Sequence, residues 1–480
     1  MQLVRLNLYA RTQCYSLSES TVNILAQNAL LPNGWAKNVF VSFDADGGLI
    51  DQVIAEPGPE LLSSVGITVP MLLPAPVNVH SHAFQRAMAG LTEHQGPNAD
   101  DNFWTWRNLM FRFLEQLTPE HVESITALVQ MEMLESGYAT NVEFHYLHHQ
   151  TDGTPFDNPA EMCDGVIAAA QQTGIGLTLL PVHYQFGGCD QRGLGAGQIR
   201  FGTDLPQFQD LHSRAAKSLK QLSRDCRMGL APHSLRAVGA EQLKELVSWA
   251  GSDPIHLHLA EQIAEVEEVV QSRGLRPVEW LLENVEVDGQ FCLIHCTQML
   301  AHETESLART GAVAGLCPIT ESNLGDGIFD CVRWLSEDGK LAVGSDSNIR
   351  ISLSEELRTL DYSQRLRDHS RAPFATSEKS SGRAMFDATV AGGAQAAGRD
   401  SGRIEAGRLA DLLALADDNV YLSGAEGDQI LDRFIFAGDD SLVAEVWSAG
   451  RHVVTGGKHV QHDQIVSRYL DVAKQLMSAI

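Results

Sequence analysis

At residues 69–82 the chain reads VPMLLPAPVNVHSH, an apolar run that ends in two histidines separated by one residue. An apolar run bounded by turn residues is typical of a buried strand in a parallel sheet. Side chains on a strand repeat every two residues, so His80 and His82 should share one face at its carboxyl end. Histidine pairs are common in proteins, so this pattern alone is weak evidence for a metal site.

Seven further apolar runs alternate with longer amphipathic stretches. Eight strands separated by helices favour a (β/α)₈ barrel over a doubly wound sheet. One intervening helix has clear ends, with Thr118 as N-cap, Pro119 in the first position and Gly137 after the last turn. The predicted strands are Val69–His82, Ala139–Tyr146, Ile175–His183, Met228–His233, Ile255–Ala260, Phe291–Cys296, Ala312–Cys317 and Leu341–Asp346.

Both ends of the chain read as short strands joined by turns. Neither flank is long enough for its own core, so we expect them to pair in one small β-sandwich. The predicted organisation is an N-terminal extension (1–20), a composite β-sandwich (21–73 plus 402–480) and a barrel (74–401). The flanking strands are predicted at Val22–Leu25, Val39–Phe43, Leu49–Ile54, Asp411–Leu415, Leu442–Ser448 and His452–Val454.

The composition indicates a globular protein. Of 480 residues, 44% are hydrophobic and 20% are charged, which excludes a disordered chain. There are 35 Lys and Arg against 61 Asp and Glu, a net charge of −26. Such a chain is not expected to bind nucleic acid or anionic lipid, and an anionic substrate needs a local group of arginines.

The cysteines and the hydropathy indicate a cytoplasmic protein without membrane spans. Eight cysteines are scattered and none has CxxC spacing, so free thiols are expected. Arg5 and Arg11 interrupt the first 20 residues, which argues against a signal peptide. No apolar stretch approaches the ~18 residues that a membrane helix needs.

Metal-binding residue types recur at the ends of other predicted strands. A second HxH pattern at His256 and His258 precedes Glu261, a later strand ends near His295, and the last ends at Asp346. In a barrel, the carboxyl ends of the strands converge on one point. Each residue singly is more often a satisfied buried polar group. Their joint position at the ends of different strands predicts a metal site.

Several segments resemble the amidohydrolase superfamily: HSHAFQRAMAG, HLHLAEQ, IHCT, VGSDS and the tail GRIEAGRLAD. Within it, four segments are most similar to the formimidoylglutamate deiminases: FWTWR (103–107), EFHYLHH (143–149), PHSLRAV (232–238) and GLCPITESNLGDGIF (315–329). The resemblance runs from about residue 22 to 470. It implies a (β/α)₈ barrel with a small β-sandwich, one zinc ion, a homodimer, and hydrolysis of N-formimino-L-glutamate to N-formyl-L-glutamate and ammonia in L-histidine degradation.

The metal ligands that the resemblance implies are His80, His82, His258 and Asp346. His256 shares a strand face with His258 but is not a ligand in the family pattern. Relatives with two metals bridge them through a carboxylated lysine on the third or fourth strand. The corresponding runs here contain no lysine, which favours one metal ion.

Chemistry assigns roles to three residues of this site. Zinc lowers the pKa of bound water from about 15.7 towards about 7. Asp346 can take the proton as water attacks. His295 can orient the nucleophile and stabilise the developing charge. Glu261, three residues after His258, can deliver a proton to the substrate nitrogen so that ammonia leaves.

The substrate implied by the resemblance carries two carboxylates. The resemblance points to Arg107 and Arg236 as their partners, with Gln85, Tyr146 and His233 as further polar contacts. Most arginines lie in surface ion pairs, but Arg107 stands in an apolar stretch where an unpaired guanidinium is costly. Arginine also suits bidentate pairing with carboxylates.

Three segments leave questions open. The glycine-rich stretch Phe186–Gly202 is either a mobile lid or a floppy connection, with equal support. The family pattern has His where Asn348 stands. Arg350, two residues later, is a candidate to alter the carboxylate pocket.

Two competing functions also remain. One is another deaminase of this fold, acting on a guanine, cytosine or triazine ring. The other is a catalytically inactive barrel that serves as a scaffold, although such proteins typically lose the metal ligands. Hydrolysis of the amidine could also release formamide and glutamate instead of ammonia and formylglutamate.

Overall fold

The computed structural model describes residues 21–45, 47–93 and 103–479, with the side chains of 103–108 and 479 outside the description. The strands in these ranges are β1 Thr21–Leu31, β2 Gly34–Asp44, β3 Ile50–Ala55, β4 Ile67–Pro74, β5 Val77–Ser81, β6 Thr140–His145, β7 Gly176–His183, β8 Arg227–Met228, β9 Ala231–Pro232, β10 Ile255–Leu259, β11 Phe291–His295, β12 Val313–Leu316, β13 Lys340–Val343, β14 Leu412–Leu415, β15 Val443–Ser448, β16 Arg451–Thr455 and β17 Lys458–His459.

The α-helices in the same ranges are α1 Pro59–Leu62, α2 Phe103–Leu114, α3 Pro119–Glu135, α4 Glu161–Thr173, α5 Leu205–Leu219, α6 Ala240–Ala250, α7 Ile263–Arg273, α8 Pro277–Asn284, α9 Ala301–Ala308, α10 Pro318–Leu324, α11 Cys331–Ser336, α12 Leu353–Asp368, α13 Ser381–Ala396, α14 Gln429–Phe436 and α15 His462–Ala479. Short 3₁₀ helices cover Ala83–Met88, Ala196–Gln198 and Asp440–Leu442. Helix α3 begins as predicted, with the Thr118 hydroxyl accepting the N–H of His121.

The strands from β5 to β13 pair in parallel. One sheet has the order β5-β6-β7-β8 with β9 also on β7, and a second has the order β10-β11-β12-β13. Isolated parallel bridges join Leu230 to Ile255 and Ser81 to Asp346, so the two sheets are linked at both edges. Helices separate most successive strands, as in a TIM-barrel-type fold. The predicted fold type is confirmed.

The first predicted barrel strand is wrong in its bounds. Residues 69–82 form two strands, because β4 ends at Pro74 and β5 begins at Val77. Pro74 and Pro76 have no N–H to donate to a neighbouring strand, so the ladder breaks between them. β4 instead pairs with β1 and β14 in a different sheet.

The fourth predicted strand, Met228–His233, is also interrupted. It forms the two-residue strands β8 and β9, separated by Gly229 and Leu230. A Cβ atom at Gly229 would lie only 2.5 Å from Leu180 Cδ2 and 2.7 Å from the carbonyl oxygen of Pro254. Glycine therefore allows the close approach of neighbouring chain segments here.

Both chain ends contribute to one mixed sheet, as predicted. Its strand order is β17-β16-β15-β14-β4-β1-β2-β3. Ile24 and Phe43 from the first flank pack with Leu412 and Trp447 from the second, and all four are buried. The last helix, α15, extends from this flank onto barrel helix α3, where Ile465 is buried.

Four charged residues, which we call the basal ion cluster, join the barrel to this sheet near the amino end of β8. Arg399 forms two bonds to Asp411, of 2.6 and 2.8 Å, and its Nη1 lies 2.9 Å from Asp225 Oδ2. Arg451 forms two bonds of 2.8 Å to Asp225. Each buried carboxylate is therefore paired with a guanidinium.

Two further expectations, free cysteines and the absence of membrane-spanning helices, can be compared with the described ranges. The cysteines found there are free thiols, as the spacing predicted. No helix in that part of the chain has the length and hydropathy to cross a bilayer.

Candidate active site

The predicted ligands lie at the carboxyl ends of the parallel strands. His80 is in β5 and His82 follows it directly, while His258 is in β10. Asp346 lies in the turn after β13, and its backbone bridges to Ser81, which stands between His80 and His82. All four predicted ligands are buried, with at most 5% of each residue exposed.

The donor atoms of these side chains converge. The Nε2 atoms of His80 and His258 are 3.1 Å apart. Asp346 Oδ1 lies 3.4 Å from His80 Nε2 and 3.3 Å from His82 Nε2. Ligand atoms about 2.0–2.2 Å from a tetrahedral zinc ion are about 3.3–3.6 Å from each other. The two distances to Asp346 Oδ1 fall in this range, and the 3.1 Å between the Nε2 atoms of His80 and His258 is slightly shorter than it.

Hydrogen bonds to the outer nitrogens orient two of the rings. His82 Nδ1 lies 2.9 Å from the carbonyl oxygen of Phe144, and His258 Nδ1 lies 3.0 Å from that of His233. A carbonyl can only accept, so each Nδ1 carries the proton and each Nε2 lone pair faces the cluster. Carbonyl partners of this kind are typical of metal-ligating histidines.

The electrostatics of the cluster favour a cation. Burial, helped by His82, lowers the pKa of His80 to about 3, and it lowers the pKa of His258 well below the usual value. Burial opposes ionisation of Asp346, but the hydrogen bond to His80 and the charge of His295 outweigh it and lower the carboxyl pKa. Neutral imidazoles beside a carboxylate form a donor set suited to a divalent ion.

His295 lies beside the same cluster. Its Nε2 is 4.0 Å from Asp346 Oδ2 and 3.9 Å from Glu261 Oε1. Its donor atom is within 4.8 Å of those of His80, His258 and Asp346, so it also belongs to a group able to hold a metal. The geometry thus brings the four predicted ligands and the two predicted catalytic residues His295 and Glu261 near one point.

Glu321 is a site residue that the sequence did not identify. Its Oε1 lies 3.2 Å from His295 Nδ1 and accepts the N–H of Cys317 at 2.8 Å. The carboxylate therefore directs the other ring nitrogen of His295 towards Asp346 and Glu261. Glu321 lies in helix α10, not at a strand end, so strand periodicity gave no signal for it.

Glu261 is poised to exchange a proton near neutral pH. Burial raises its pKa to about 7, which His295 opposes and the nearby Glu265 carboxylate supports. Glu265 accepts the backbone N–H of Glu261 at 2.9 Å and so holds this turn in place.

The predicted substrate contacts, Arg107 excepted, line one cavity beside this cluster. Gln85 donates to the Tyr146 hydroxyl at 2.8 Å. Arg236 is buried, and its Nε lies 3.9 Å from Glu265 Oε1 without a hydrogen bond. The side chain of Arg107 lies outside the described residues. The cavity walls are His82, Gln85, Met110, Tyr146, Tyr184, Phe201, His233, Arg236, His258, Glu261, His295, Leu324 and Asp346.

Comparisons with known proteins agree with this geometry. The model of the amidohydrolase family matches residues 71–453. The chain belongs to the amidohydrolase family. It is 44% identical to the formimidoylglutamate deiminase of Pseudomonas aeruginosa over 95% of this chain and 99% of that protein. It is 26% identical to a 5-methylthioadenosine/S-adenosylhomocysteine deaminase of Natronomonas pharaonis over 94% of this chain and 95% of that protein.

Solved structures show the same fold. An amidohydrolase from Brucella melitensis matches with a TM-score of 0.90 and 41% identity, over 95% of this chain and 100% of that one. An adenosine deaminase from Xanthomonas campestris with bound zinc matches with a TM-score of 0.79 and 20% identity, over 95% and 98% of the two chains. At that identity the second match shows the fold alone.

In this amidohydrolase, hydrogen bonds connect the glycine-rich segment Phe186–Gly202 to the barrel. Buried Arg200 donates to the carbonyl oxygens of Leu114, Leu117 and His149. Gln198 donates to the Tyr184 hydroxyl at 2.8 Å, which brings the segment to the cavity wall. The carboxyl-terminal part of Phe186–Gly202 is therefore bonded to the barrel, whereas residues 190–193 are exposed, and movement of the segment as a lid stays a prediction.

The two departures from the family pattern have different surroundings. Asn348 is buried and bonded to residues around Asp346. Arg350 forms an ion pair with Glu355, more than half of its side chain is exposed, and it is not among the described cavity walls. An effect of Arg350 on the carboxylate pocket therefore stays a prediction, and its guanidinium is paired with Glu355.

Proposed function

We propose that this amidohydrolase hydrolyses the amidine C–N bond of N-formimino-L-glutamate, giving N-formyl-L-glutamate and ammonia in L-histidine degradation. The observation that carries the proposal is the 44% identity, over nearly the whole of both chains, to a protein named formimidoylglutamate deiminase. The buried cluster of metal-binding side chains beside an arginine-bearing cavity supports it.

The proposed cofactor is one zinc ion per chain, held by His80, His82, His258 and Asp346. The donor spacing of 3.1–3.4 Å supports this choice. No lysine occurs in the third and fourth barrel strands, residues 176–183 and 228–233, which supports a single ion. Zinc bound there supplies Lewis acidity, which makes water a competent nucleophile near neutral pH.

Two side chains transfer protons in the proposed reaction, and a third orients the attacking water. Asp346 takes the proton of the attacking water, since its low pKa leaves it ionised. His295, oriented by Glu321, hydrogen-bonds the water and stabilises the charge that develops on the attacking oxygen. Glu261 delivers a proton to the leaving nitrogen, and its pKa of about 7 suits both uptake and release.

In the proposed reaction, Arg236 and Arg107 bind the two substrate carboxylates. Arg236 is buried on the cavity wall, and its Nε has no hydrogen-bond partner among the described residues. The Glu265 carboxylate is 3.9 Å from this Nε, so the buried guanidinium can still donate a hydrogen bond to an anionic ligand. Arg107 holds the second carboxylate, and the side chains of Gln85, Tyr146 and His233 add polar contacts.

The proposed architecture around this site is a closed (β/α)₈ barrel over residues 74–401. A small β-sandwich over 21–73 and 402–480 packs against it, with 1–20 as an N-terminal extension. Isolated bridges at both edges of the parallel sheets support closure of the barrel. The homodimer and the cytoplasmic location expected from the sequence stay predictions.

A substrate screen tests the proposed function. Ammonia release is measured with N-formimino-L-glutamate, guanine, cytosine and an aminotriazine, and the organic product is identified by mass. Turnover of N-formimino-L-glutamate to N-formyl-L-glutamate is expected. Preference for a ring substrate would assign another deaminase activity. Release of formamide and glutamate would show that the other C–N bond of the amidine breaks. No turnover by zinc-loaded protein would favour a scaffold.

A further inference from the structure

The turn that carries Asp346 has an unusual backbone. Asp346 has a φ of 45° and Asn348 a φ of 54°, so two of three successive residues lie in the left-handed region. Residues other than glycine rarely adopt this region, and Asn and Asp tolerate it best. Interactions with neighbouring residues must hold the turn in this unfavourable conformation. The position of the Asp346 carboxylate depends on it.

A ring of side-chain hydrogen bonds surrounds the turn. The Ser345 hydroxyl donates to Asn348 Oδ1 at 2.6 Å and accepts from Asn78 Nδ2 at 2.8 Å. Asn348 Nδ2 donates to the Ser81 hydroxyl oxygen and to the Asp346 carbonyl oxygen, both at 3.1 Å. The four side chains of this ring, Asn78, Ser81, Ser345 and Asn348, belong to residues that are at most 1% exposed.

The direction of these bonds identifies what position 348 must supply. The Ser345 hydroxyl has one proton, which goes to Asn348 Oδ1, so the amide nitrogen faces Ser81 and the Asp346 carbonyl. Both amide protons are then used. A carboxylate at position 348 would keep the bond from Ser345 but has no proton for a carbonyl oxygen.

The ring connects the two segments that bear the proposed ligands. Asn78 and Ser81 flank His80 on β5, whereas Ser345 and Asn348 flank Asp346. A backbone hydrogen bond joins the same two segments, since the Asp346 N–H donates to the carbonyl oxygen of His80 at 2.9 Å. The side-chain ring is thus a second connection between strand and turn.

We infer that Asn348 is a positioning residue for the metal centre: its carboxamide fixes the Asp346 turn against β5 and so sets the distance from Asp346 to His80 and His82. This inference rests on the proposed function, in which those residues hold zinc. It assigns Asn348 no contact with the substrate. Changes at such supporting positions typically weaken metal binding or activity by about 10–100-fold.

The test compares Asn348→Asp with Gln364→Glu. Gln364 is also a fully buried carboxamide with bonds in two directions, to the Phe329 carbonyl oxygen and from the Cys331 N–H, but it does not line the described cavity. Both changes replace a buried amide by an acid. The zinc dissociation constant is measured by chelator competition, with the thermal midpoints of metal-free and zinc-loaded protein.

Asn348→Asp is expected to weaken zinc binding by at least about 10-fold, and Gln364→Glu to leave it unchanged. Zinc should then raise the thermal midpoint of Asn348→Asp less than that of wild type. Ser345→Ala, which removes the bridging hydroxyl, is expected to act in the same direction and serves if Asn348→Asp does not fold. Wild-type zinc affinity in the folded Asn348 or Ser345 variant, or equal weakening in Gln364→Glu, overturns the inference.

A parallel measurement on His82→Ala separates this inference from the proposed function. If His82→Ala loses zinc and Asn348→Asp keeps it at wild-type affinity, the metal centre stands and the positioning role of Asn348 is wrong. If His82→Ala binds zinc as wild type does, the proposed metal centre itself fails and the inference falls with it.

Discussion

The candidate active site and the basal ion cluster gather buried ionisable groups in opposite ways. In the basal cluster each carboxylate faces a guanidinium, at 2.6–2.9 Å, and its charges are met within the chain. At the active site, imidazole lone pairs face one another and a carboxylate, at 3.1–3.4 Å. The first arrangement is complete, whereas the second becomes favourable only with a cation between the groups.

This difference indicates what each region does. Buried polar groups that satisfy one another stabilise the fold, and converging groups of one kind indicate a ligand site. The basal cluster should therefore affect stability with little effect on catalysis. The active site should affect metal binding and catalysis with little effect on stability.

The largest expected effect is that of His82→Ala. Loss of one ligand should remove zinc and lower kcat/KM for N-formimino-L-glutamate by more than the ~100-fold upper range for supporting residues. The metal-free variant should unfold at nearly the temperature of metal-free wild type, since His82 lies at a strand end and not in the core. Metal analysis and ammonia release check both points, and wild-type zinc content in the variant contradicts the ligand assignment.

Arg236→Met should have a large effect on substrate use but not on the metal. Losing one partner of a buried charge pair costs about 2–5 kcal/mol, so kcat/KM should fall by at least about 30-fold. Preference over an analogue with one carboxylate should shrink, and Arg107→Met should act in the same direction. Arg214→Met, which changes an exposed pair with Asp210, is the control. Full preference for the dianion in Arg236→Met would make Arg236 structural.

The basal cluster should respond in the opposite way. Asp225→Asn leaves two guanidinium groups without their shared carboxylate, and loss of one partner in a buried pair costs about 3–5 kcal/mol. Urea unfolding of the metal-free protein should show a loss near 3 kcal/mol, while zinc content and kcat stay at wild-type values. Loss of zinc from Asp225→Asn would mean that the two regions are coupled.

The smallest expected effect is the pH dependence of the contribution that Asp225 makes to the free energy of unfolding. Burial opposes ionisation of Asp225, but hydrogen bonds and charge from Arg451 and Arg399 outweigh it and lower its pKa to about 2, from a usual 3.8. Because the folded pKa is the lower one, this stabilisation is present above pH 4 and is lost as the pH falls towards 2. The difference between wild type and Asp225→Asn should shrink by about 2 kcal/mol over that interval. A constant difference in urea unfolding would contradict the ion-pair account.

The sequence predicts the parts of the site that follow strand periodicity. His80, His82 and His258 could be placed because side chains alternate along a strand and barrel strands end at one face. Glu321 could not, since it reaches His295 from helix α10 and not from the end of a strand. The split at Pro74 and Pro76 was visible in the sequence, but the apolar run around it hid the change from one sheet to another.

Polar contacts between distant segments were the least predictable feature. Asn348 was noted only as a departure from a family pattern, because nothing local shows that it bonds to a serine 267 positions earlier. Arg350 stands four residues after Asp346 in the sequence, yet its guanidinium pairs with Glu355. Such partners depend on the fold rather than on spacing along the chain.

The most direct test of the central claim is a zinc titration of chelator-treated protein, followed by ammonia release from N-formimino-L-glutamate. The account predicts that the metal-free protein is inactive and that activity rises linearly to a plateau at one zinc ion per chain. His82→Ala should show no such plateau. Full activity without metal, or a plateau at two ions per chain, would contradict the account.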